Sequence, residues 1–531
     1  MSCRRGGNVP DCPLNWTPDV FWRGRRRAVR DVGQSSPGER GLPRALVGEA
    51  GIESAVGRSG GCARPVRLRG TTMLVDKGTG EVVERYSSAD ELDGHTYVRC
   101  GNRRASVCPT CSHEYKGDAW HLLVCGLAGG KGVPASVADR PCTFATLTAP
   151  SFGPVHGLRR KGPCRARRDK PVCPHGRALW CGKRHRENDS QLGHPLCWEC
   201  YDYTGHVLWQ WHAPELWRRF TIALQRRLAA VTGLSVKAFR QRCRIAYSKV
   251  VEFQARGLIH VHVPIRIDGP LGPDGKPSDL DLSTRDLEDA VRRTTESVRL
   301  DVGPLRNGTA YRLTWGRQLD CRSITDTAGR DSERGGRVVH PEQVAAYLAK
   351  YLTKATEDFG LPARVTSAVH ARSVGASPHA VRIIEAANRV AGEGEAYARL
   401  RDNFATLGYR GHPITKSRSY SVTFSQIRRA RRAFRRDPGL EPDADIREVL
   451  DDAADLPDGF ELVSSWVYVG RGYLDLDQAA SAVMSAAISR TRQPGRHTSA
   501  ASRQPANPGH PTGRQGRSAA ESEGHEVPLT S

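Results

Sequence analysis

Two histidines and a glutamate on neighbouring predicted strands have the spacing of a metal site. His260 and His262 are two residues apart, so both side chains leave the same face of one strand. A three-residue loop that ends in Gly257 predicts a hairpin whose register places Glu252 opposite His260. Two imidazoles and a carboxylate can bind a divalent cation. The alternative is a half-buried strand on which the histidines are merely polar positions.

Two tyrosines four residues apart are candidate nucleophiles. Pro341 predicts the start of a helix on which Tyr347 and Tyr351 share one face. A phenol hydroxyl can attack phosphorus, and Lys350 and Lys354 are placed to lower its pKa or to screen the phosphate. A divalent ion at the histidine pair would polarise the same phosphate. The alternative is that both tyrosines belong to an ordinary apolar stripe.

The 15 cysteines point to structural metal rather than to disulfides, because the chain begins with no secretory signal. Two pairs, Cys108-x-x-Cys111 and Cys197-x-x-Cys200, have the spacing of zinc knuckles. Sites made of four thiolates leave no open coordination position, so their role is expected to be structural.

The grouping of these zinc ligands stays open at this point. Cys173 and Cys181 can complete a set of four with the second pair, and Cys100 can join the first pair without an obvious fourth ligand. A cross-brace between the two pairs is the competing arrangement. The candidate zinc ligands are Cys100, Cys108, Cys111, Cys173, Cys181, Cys197 and Cys200.

The elements that must position these residues follow from apolar periodicity. Alternating patterns predict buried strands, and apolar residues three or four apart predict amphipathic helices. Strands are predicted at residues 142–148, 245–254 and 258–267 and at 315–318 with their neighbours, and helices at 115–127, 215–231 and 284–300.

The formal net charge of +23 favours a polyanionic partner, with nucleic acid as the first candidate. Only +4 of it comes from residues 1–50 and +3 from residues 490–531, so the basic character belongs to the folded middle. No run of about eighteen apolar residues occurs, which predicts a cytoplasmic protein without a membrane span.

A basic segment in the last third is a candidate DNA-binding region. Arginines interleaved with apolar residues predict a basic amphipathic helix that could neutralise phosphates. The alternative is a solvated charged face. The candidate DNA-binding residues are Lys416, Arg418, Arg428, Arg429, Arg431, Arg432, Arg435 and Arg436.

Three ordered stretches resemble the motifs of a known enzyme superfamily. Thr143-Phe-Ala-Thr-Leu-Thr148, His260-Val-His262 and Tyr347-Leu-Ala-Lys-Tyr351 resemble the motifs of rolling-circle replication initiators of the HUH superfamily. Further stretches, among them Leu196-Cys-Trp-Glu-Cys-Tyr-Asp-Tyr203 and Trp466-Val-Tyr-Val-Gly-Arg-Gly-Tyr473, are similar to initiators of actinobacterial plasmids and integrative conjugative elements. The resemblance covers roughly residues 90–480.

The resemblance implies an α+β fold with an HUH endonuclease-like antiparallel sheet, flanking helices, a zinc-binding insert and a basic helical carboxyl-terminal region. The expected organisation is a flexible extension (1–65), a region with a zinc knuckle (66–140), a nuclease domain (141–360) with its cysteine-rich insert (157–203), a basic helical DNA-binding region (361–489) and a disordered tail (490–531).

The resemblance also implies an activity. Tyr351 would nick one strand of a replication origin, remain linked to the 5′-phosphate and leave a 3′-hydroxyl for a DNA polymerase. Tyr347 would perform a second transesterification. His260, His262 and Glu252, the last suggested by hairpin register, would hold Mg²⁺ or Mn²⁺. No nucleotide-binding loop of the Gly-x-x-x-x-Gly-Lys-Ser/Thr type occurs, so a host helicase is expected as a partner.

Two alternatives to this activity stay open. One is a conjugative relaxase of the same superfamily, against which the chain order argues, because relaxases usually place the tyrosine before the histidines. The other is a zinc-containing DNA-binding regulator without catalytic activity. The sequence gives neither the origin sequence nor the nick position, the oligomeric state or the order in which the tyrosines attack.

Overall fold

The computed structural model describes residues 59–91, 93–159, 161–324, 338–354, 356–436 and 459–492. Within these ranges, no helix is long and apolar enough to cross a membrane. The strands are β1 (Val66–Asp76), β2 (Val82–Ser87), β3 (Thr96–Val98), β4 (Cys142–Leu147), β5 (Arg244–Phe253), β6 (Ile259–Asp268), β7 (Arg299–Val302), β8 (Tyr311–Thr314), β9 (Leu319–Ile324), β10 (Val338–Val339), β11 (Ile414–Lys416) and β12 (Phe460–Arg471). The α-helices are α1 (Pro109–Ala128), α2 (Tyr203–Val231), α3 (Val236–Arg242), α4 (Thr284–Ser297), α5 (Pro341–Leu352), α6 (Ala368–Ser373), α7 (Pro378–Ala391), α8 (Glu395–Ala398), α9 (Phe424–Arg436) and α10 (Leu476–Arg492).

Two predicted segments lie largely outside these ranges. Residues 1–58 of the predicted extension and residues 493–531 of the predicted tail are not described. Residues 59–65 are described, and Ser59 and Cys62 among them are fully buried. This end of the predicted extension is therefore packed into the fold.

A six-stranded sheet carries the predicted metal site. Its order is β10-β9-β4-β6-β5-β11, and neighbouring strands are antiparallel except for β10 and β9. β5 and β6 form the predicted hairpin, and Gly257 in its loop has a φ of +81°, a conformation that favours glycine. Antiparallel sheets with packed helices agree with the predicted α+β class.

Helices cover both faces of this central sheet. Because alternate residues of a strand point to opposite faces, Val250 packs with α1 and α5, whereas Val251 and Ile265 pack with α2 and α4. Each fully buried aliphatic side chain of this kind stabilises the fold by about 1.5–3 kcal/mol. Val250 is paired with His262 in the register, so the histidines lie on the side of the sheet that faces α5.

A second sheet joins the two ends of the described chain. β1 pairs with β12 along its whole length, from Val66 opposite Arg471 to Asp76 opposite Phe460, and also with β2 and β3. The carboxyl-terminal third thus supplies β12 to this sheet and β11 to the central one. Strands from the segments 66–140 and 361–489 are therefore hydrogen-bonded to each other.

Several elements differ from the prediction in their limits. The strand predicted at residues 315–318 and their neighbours is divided in two: the neighbours form β8 and β9, and residues 315–318 link them, with the Trp315 ring packed against Trp209. The helix predicted at 284–300 ends at Ser297, since the next residues pair as β7 with β8. Helix α2 is longer than predicted and continues through Pro214.

A buried ionic cluster fastens the end of the β5–β6 hairpin to the chain before β4. Asp268 accepts hydrogen bonds from Arg140 at 2.8 Å and from Arg266 at 2.7 and 2.9 Å. The three side chains are at most 1% exposed. Arg140 also donates to three backbone carbonyls of residues 272–275, so its charge is matched by several acceptors.

Replacement of Asp268 by asparagine should destabilise the protein strongly. The substitution leaves two buried guanidinium groups without a counter-charge, for which we expect a loss of about 3–5 kcal/mol in the free energy of unfolding. Urea denaturation followed by circular dichroism measures this. The control is Asp279→Asn, which removes the partner of Arg242 in a surface pair and should leave the urea midpoint unchanged, because water screens such pairs. Equal midpoints for the two variants would contradict the interpretation.

Candidate active site

The two histidines and Glu252 lie together on the face of the central sheet that α5 covers. The register pairs Glu252 with His260 and Val250 with His262, as predicted. One ligand atom from each of Glu252, His260 and His262 lies within 4.8 Å of the other two. The structure thus brings the three predicted ligands of the divalent ion to one point.

Hydrogen bonds on both sides orient the His262 ring. Its Nδ1 lies 3.0 Å from Thr146 Oγ1, and its Nε2 lies 2.7 Å from Glu252 Oε2. The sequence did not identify Thr146 as a site residue, although it belongs to the first of the three motifs. The signal was strand pairing, which sets Thr146 directly opposite His262. A hydroxyl partner of this kind fixes the orientation of a metal-binding imidazole.

His260 presents a ring nitrogen that lacks a partner. Its Nε2 is buried and makes no hydrogen bond to any residue that the structure describes. Burial, with a smaller contribution from the neighbouring His262, lowers the pKa of His260 to about 3, so the ring is neutral at physiological pH. A buried polar atom without a partner is destabilising, and a metal ion would satisfy it. One carboxylate and two imidazoles form a donor set that could hold a divalent metal ion.

The tyrosine helix places both phenols beside the histidines. Tyr347 and Tyr351 lie on one face of α5 with ring centroids 4.8 Å apart. The His262 ring centroid lies 5.3 Å from that of Tyr347 and 6.1 Å from that of Tyr351. Tyr347 is 40% exposed whereas Leu348 is fully buried, so the apolar stripe of α5 runs through Leu348 and not through Tyr347.

The two phenols differ in how easily they lose a proton. Burial, followed by the negative charge of Glu252, raises the pKa of both Tyr347 and Tyr351. The hydrogen bond between the two hydroxyls raises the pKa of Tyr347 further and acts in the opposite direction on Tyr351. This bond therefore favours ionisation of Tyr351 over that of Tyr347.

The two predicted lysines lie at different positions relative to the phenols. The Nζ of Lys350 lies 5.7 Å from the centroid of the Tyr351 ring. Lys354 follows the end of α5 and is exposed; its backbone N–H donates to the carbonyl of Tyr351, and its own carbonyl accepts from Arg103. The structure therefore places the side chain of Lys350 next to the Tyr351 ring and gives Lys354 contacts through its backbone.

The basic helix α9 forms ion pairs with carboxylates of α1. Arg431 pairs with Glu114 at 2.8 Å and with the buried Asp118, and Arg428 lies 3.5 Å from Asp118. Arg429 is exposed. The charge of Arg431 is thus matched within the protein, which the sequence did not predict because the partner carboxylates lie on a distant helix. The side chains of Arg432, Arg435 and Arg436 lie outside the described residues.

Lys416 and Arg418 also differ from one another. The Nζ of Lys416 donates to three backbone carbonyls, the shortest contact being 2.8 Å to Ser421, and burial lowers the pKa of Lys416 to about 8. The ammonium group therefore stabilises the loop that follows β11 through hydrogen bonds to its carbonyls. Arg418 is exposed and remains available to a phosphate.

The first cysteine cluster contains a ligand that the sequence left out. Cys62 joins Cys100, Cys108 and Cys111, with the four sulfur atoms within 4.8 Å of one another. Cys62 lies in the predicted flexible extension, and the missing fourth ligand of this set is the signal in the sequence that points to it. The structure thus completes the predicted three-cysteine set.

The cysteine-rich insert holds two further clusters rather than the one predicted. Cys181 belongs to one cluster, whereas Cys173 belongs to another with the Cys197–Cys200 pair, and histidines complete both sets. Neither the predicted set of four cysteines nor the cross-brace between the two Cys-x-x-Cys pairs is formed. One of these two further clusters consists of His156, Cys164, Cys181 and His185, and the other consists of Cys173, His175, Cys197 and Cys200.

The chain is similar to known replication initiator proteins. The chain matches the family described as RepSA, replication initiator protein, pSAM2, over residues 50–487. It is 37% identical over 453 residues to a replication initiator protein of Streptomyces ambofaciens, and the alignment covers 84% of this chain and 91% of that protein. No solved structure matches the chain.

The family match includes every candidate catalytic residue and all three cysteine clusters. It begins before Cys62 and ends beyond β12, so it spans both sheets and the tyrosine helix. Both the extent of the match and the identity to the Streptomyces protein place the chain among proteins that start DNA replication. The chain belongs to the RepSA family of replication initiator proteins.

Proposed function

We propose that this replication initiator nicks one strand at the double-strand origin of a plasmid or integrative element by tyrosine transesterification, as HUH-superfamily rolling-circle initiators do. The observation that carries the proposal is the placement of two phenols against a His–His–Glu set, with the His262 ring 5.3 Å from Tyr347 and 6.1 Å from Tyr351. A regulator that only binds DNA requires no such arrangement.

Tyr351 is the first nucleophile in this proposal. Its Oη forms a bond to the scissile phosphorus while the bond from phosphorus to the 3′-oxygen breaks. The phenol proton passes to solvent, and the departing 3′-oxygen takes up a proton to become the 3′-hydroxyl that a DNA polymerase extends. The hydrogen bond from Tyr347 supports this order, because it favours the ionised form of Tyr351.

Glu252, His260 and His262 would hold the divalent ion. Mg²⁺ or Mn²⁺ bound there would supply Lewis-acid polarisation of the scissile phosphate. Thr146 holds the His262 ring in place for this purpose, and Lys350 lies close enough to the Tyr351 ring to screen phosphate charge. Each polar residue around the phenols thus has a role in binding or orienting the phosphate.

Tyr347 completes the cycle in this proposal. The phosphotyrosine ester preserves the energy of the phosphodiester bond, so a second attack can transfer the strand without another energy source. Tyr347 shares the helix face of Tyr351 and is more exposed, which leaves room for the strand end. Host helicase and polymerase would supply unwinding and synthesis, since the chain has no nucleotide-binding loop of the Walker type.

Cleavage of supercoiled DNA that carries the element's own origin tests the mechanism. With Mn²⁺, the wild-type protein should give nicked DNA with a protein-linked 5′ end on a denaturing gel. We expect Tyr351→Phe to abolish the adduct and Tyr347→Phe to retain the first nick but lose strand transfer. His260→Ala should cleave far more slowly, because the metal set loses a ligand.

The control for these variants is Tyr468→Phe, which removes an exposed hydroxyl from β12 and should cleave like the wild type. An adduct that survives in Tyr351→Phe but not in Tyr347→Phe would assign the first attack to Tyr347. Tight origin binding without cleavage under any divalent metal would overturn the nuclease proposal and favour a regulator.

Metal affinity tests the role of Thr146 separately from cleavage. Thr146→Val keeps the shape of the side chain but removes the hydroxyl that orients His262, so we expect the affinity for Mn²⁺ to fall about 10–100-fold. Titration followed by electron paramagnetic resonance measures free Mn²⁺. The control Thr143→Val lies on the same strand and faces the opposite side of the sheet. The interpretation fails if both variants bind Mn²⁺ equally well.

A further inference from the structure

The four-cysteine cluster has the dimensions of a tetrahedral zinc site. The Sγ of Cys62 lies 3.8 Å from that of Cys108 and 3.7 Å from that of Cys111. Zn–S bonds of about 2.3 Å in a tetrahedron separate neighbouring sulfur atoms by about 3.8 Å. A disulfide has a sulfur separation of about 2.05 Å, so Cys62 is not bonded to either cysteine in the structure.

The surroundings of the cluster also suit thiolates. The backbone N–H of Cys100 donates to the Sγ of Cys62 at 3.3 Å, and that of Asn102 points at the Sγ of Cys100 at 3.5 Å. Cys62 and Cys108 are fully buried and Cys111 is nearly so. Buried sulfur atoms that already accept backbone hydrogen bonds are arranged as closed, structural metal ligands.

The loop between Cys100 and Cys108 is bonded to the end of the tyrosine helix. Arg103 Nη1 donates to the carbonyls of Leu352 at 2.8 Å and Lys354 at 2.7 Å. The N–H of Ala105 donates to the carbonyl of Thr353 at 3.3 Å. The last carbonyls of a helix have no partner within the helix, and a cation is favourable there. This loop therefore supplies the carboxyl-terminal cap of α5.

We propose that Cys62, Cys100, Cys108 and Cys111 bind one structural Zn²⁺, and that this ion positions the nucleophile by fixing the Arg103 loop against the end of α5. Tyr351 immediately precedes the first capped carbonyl, so movement of the cap would move its hydroxyl relative to the histidines. The part of this inference that concerns cleavage rests on the proposed function. The part that concerns metal and helix order does not.

The packing of α1 against α5 connects the same ion to the rest of α5. Helix α1 starts directly after Cys108, contains Cys111 in its first turn and packs along α5, with Leu122 and Leu123 in one apolar cluster with Leu348. The ion would thus hold the start of α1 and the Arg103 loop at a fixed distance. The positions of α1 and of the Arg103 loop, which both contact α5, would then depend on one metal site.

Cys62 is the ligand that closes the site from outside this loop. The segment before it is held by the hydroxyl of Thr110, which donates to the carbonyl of Gly61 at 2.8 Å, and by Ser59, whose hydroxyl lies 2.6 Å from that of Tyr473. These bonds bring Cys62 to the other three thiols. Substitution of Cys62 would therefore remove one of the four metal ligands without altering any residue of α1 or of the loop that contains Arg103.

Metal content of the full-length protein tests the site. Zinc per chain is measured by mass spectrometry after extensive dialysis, and Cys62→Ser should contain one equivalent less than the wild type. The control is Cys321→Ser, which removes a half-buried thiol outside every cluster and should keep the wild-type content. Unchanged zinc in Cys62→Ser would overturn the metal site.

Hydrogen exchange tests the connection to the tyrosine helix without any need for cleavage. We expect Cys62→Ser and Arg103→Ala to speed amide exchange at residues 351–354 by roughly tenfold or more. The end of the helix frays when the cap hydrogen bonds to its carbonyls are lost, and its amides then exchange with solvent. Arg103→Ala should speed this exchange with its zinc content intact, and Arg103→Lys should restore part of the protection. Cys173→Ser, in a cluster of the insert, should leave these amides unchanged.

Single-turnover cleavage at saturating origin DNA then distinguishes positioning from binding. Arg103→Ala should lower the cleavage rate at least tenfold while the dissociation constant for origin DNA stays within twofold of the wild type. Slower exchange or no change at residues 351–354 in the zinc-replete Arg103→Ala would overturn the positioning role. Faster exchange in the two variants, together with a wild-type protein that never cleaves DNA, would support the zinc cap and count against the nuclease proposal alone.

Discussion

The register of the β5–β6 hairpin is the constraint on which the rest of the site depends. A slip of one residue would turn His260 and His262 to the opposite face of the sheet, into the apolar layer under α2. The buried side chain of Gln210 resists such a slip: its Nε2 donates to the carbonyl of Gly257 at 3.1 Å, and its Oε1 accepts from the N–H of Ile259 at 3.3 Å. A side chain of α2 thus fixes the turn, and the turn fixes which face the imidazoles occupy.

The turn is also supported by the cysteine-rich insert. Gly193 lies so close to Ala255 that a Cβ would come within 2.0 Å of its carbonyl oxygen, and the ring of His379 lies 3.1 Å from the carbonyl of Arg256. A glycine of the insert and a histidine of α7 therefore contact the hairpin turn, and the loop that follows Cys100 contacts the end of α5. An active site built from a strand pair and a separate helix needs such supports, because neither element alone sets the distance between imidazole and phenol.

The sequence predicted those parts of the site that follow from local pattern. Strand alternation with Gly257 in the loop gave the hairpin and its register, and a four-residue spacing after Pro341 gave the shared face of the tyrosines. It could not predict contacts whose partners lie far apart in the chain. Cys62 and Cys108 are 46 residues apart, and the missing fourth ligand of the predicted set was the one sign in the sequence that a further cysteine joins them. The sequence likewise did not predict the carboxylates that pair with Arg431, since they lie on α1 and become its neighbours only through packing.

The hydrogen bond between the tyrosines gives the proposed mechanism a direction that the sequence leaves open. Before cleavage, the interaction between the two hydroxyls raises the pKa of Tyr347 and acts in the opposite direction on Tyr351, which favours the ionised form of Tyr351. Once Tyr351 carries the 5′-phosphate, its oxygen is an ester oxygen and a poorer acceptor. The contribution of that bond to the raised pKa of Tyr347 is then lost, while burial and Glu252 remain. The proposed first covalent step would thus remove one of the contributions that raise the pKa of Tyr347 before that residue acts in the second.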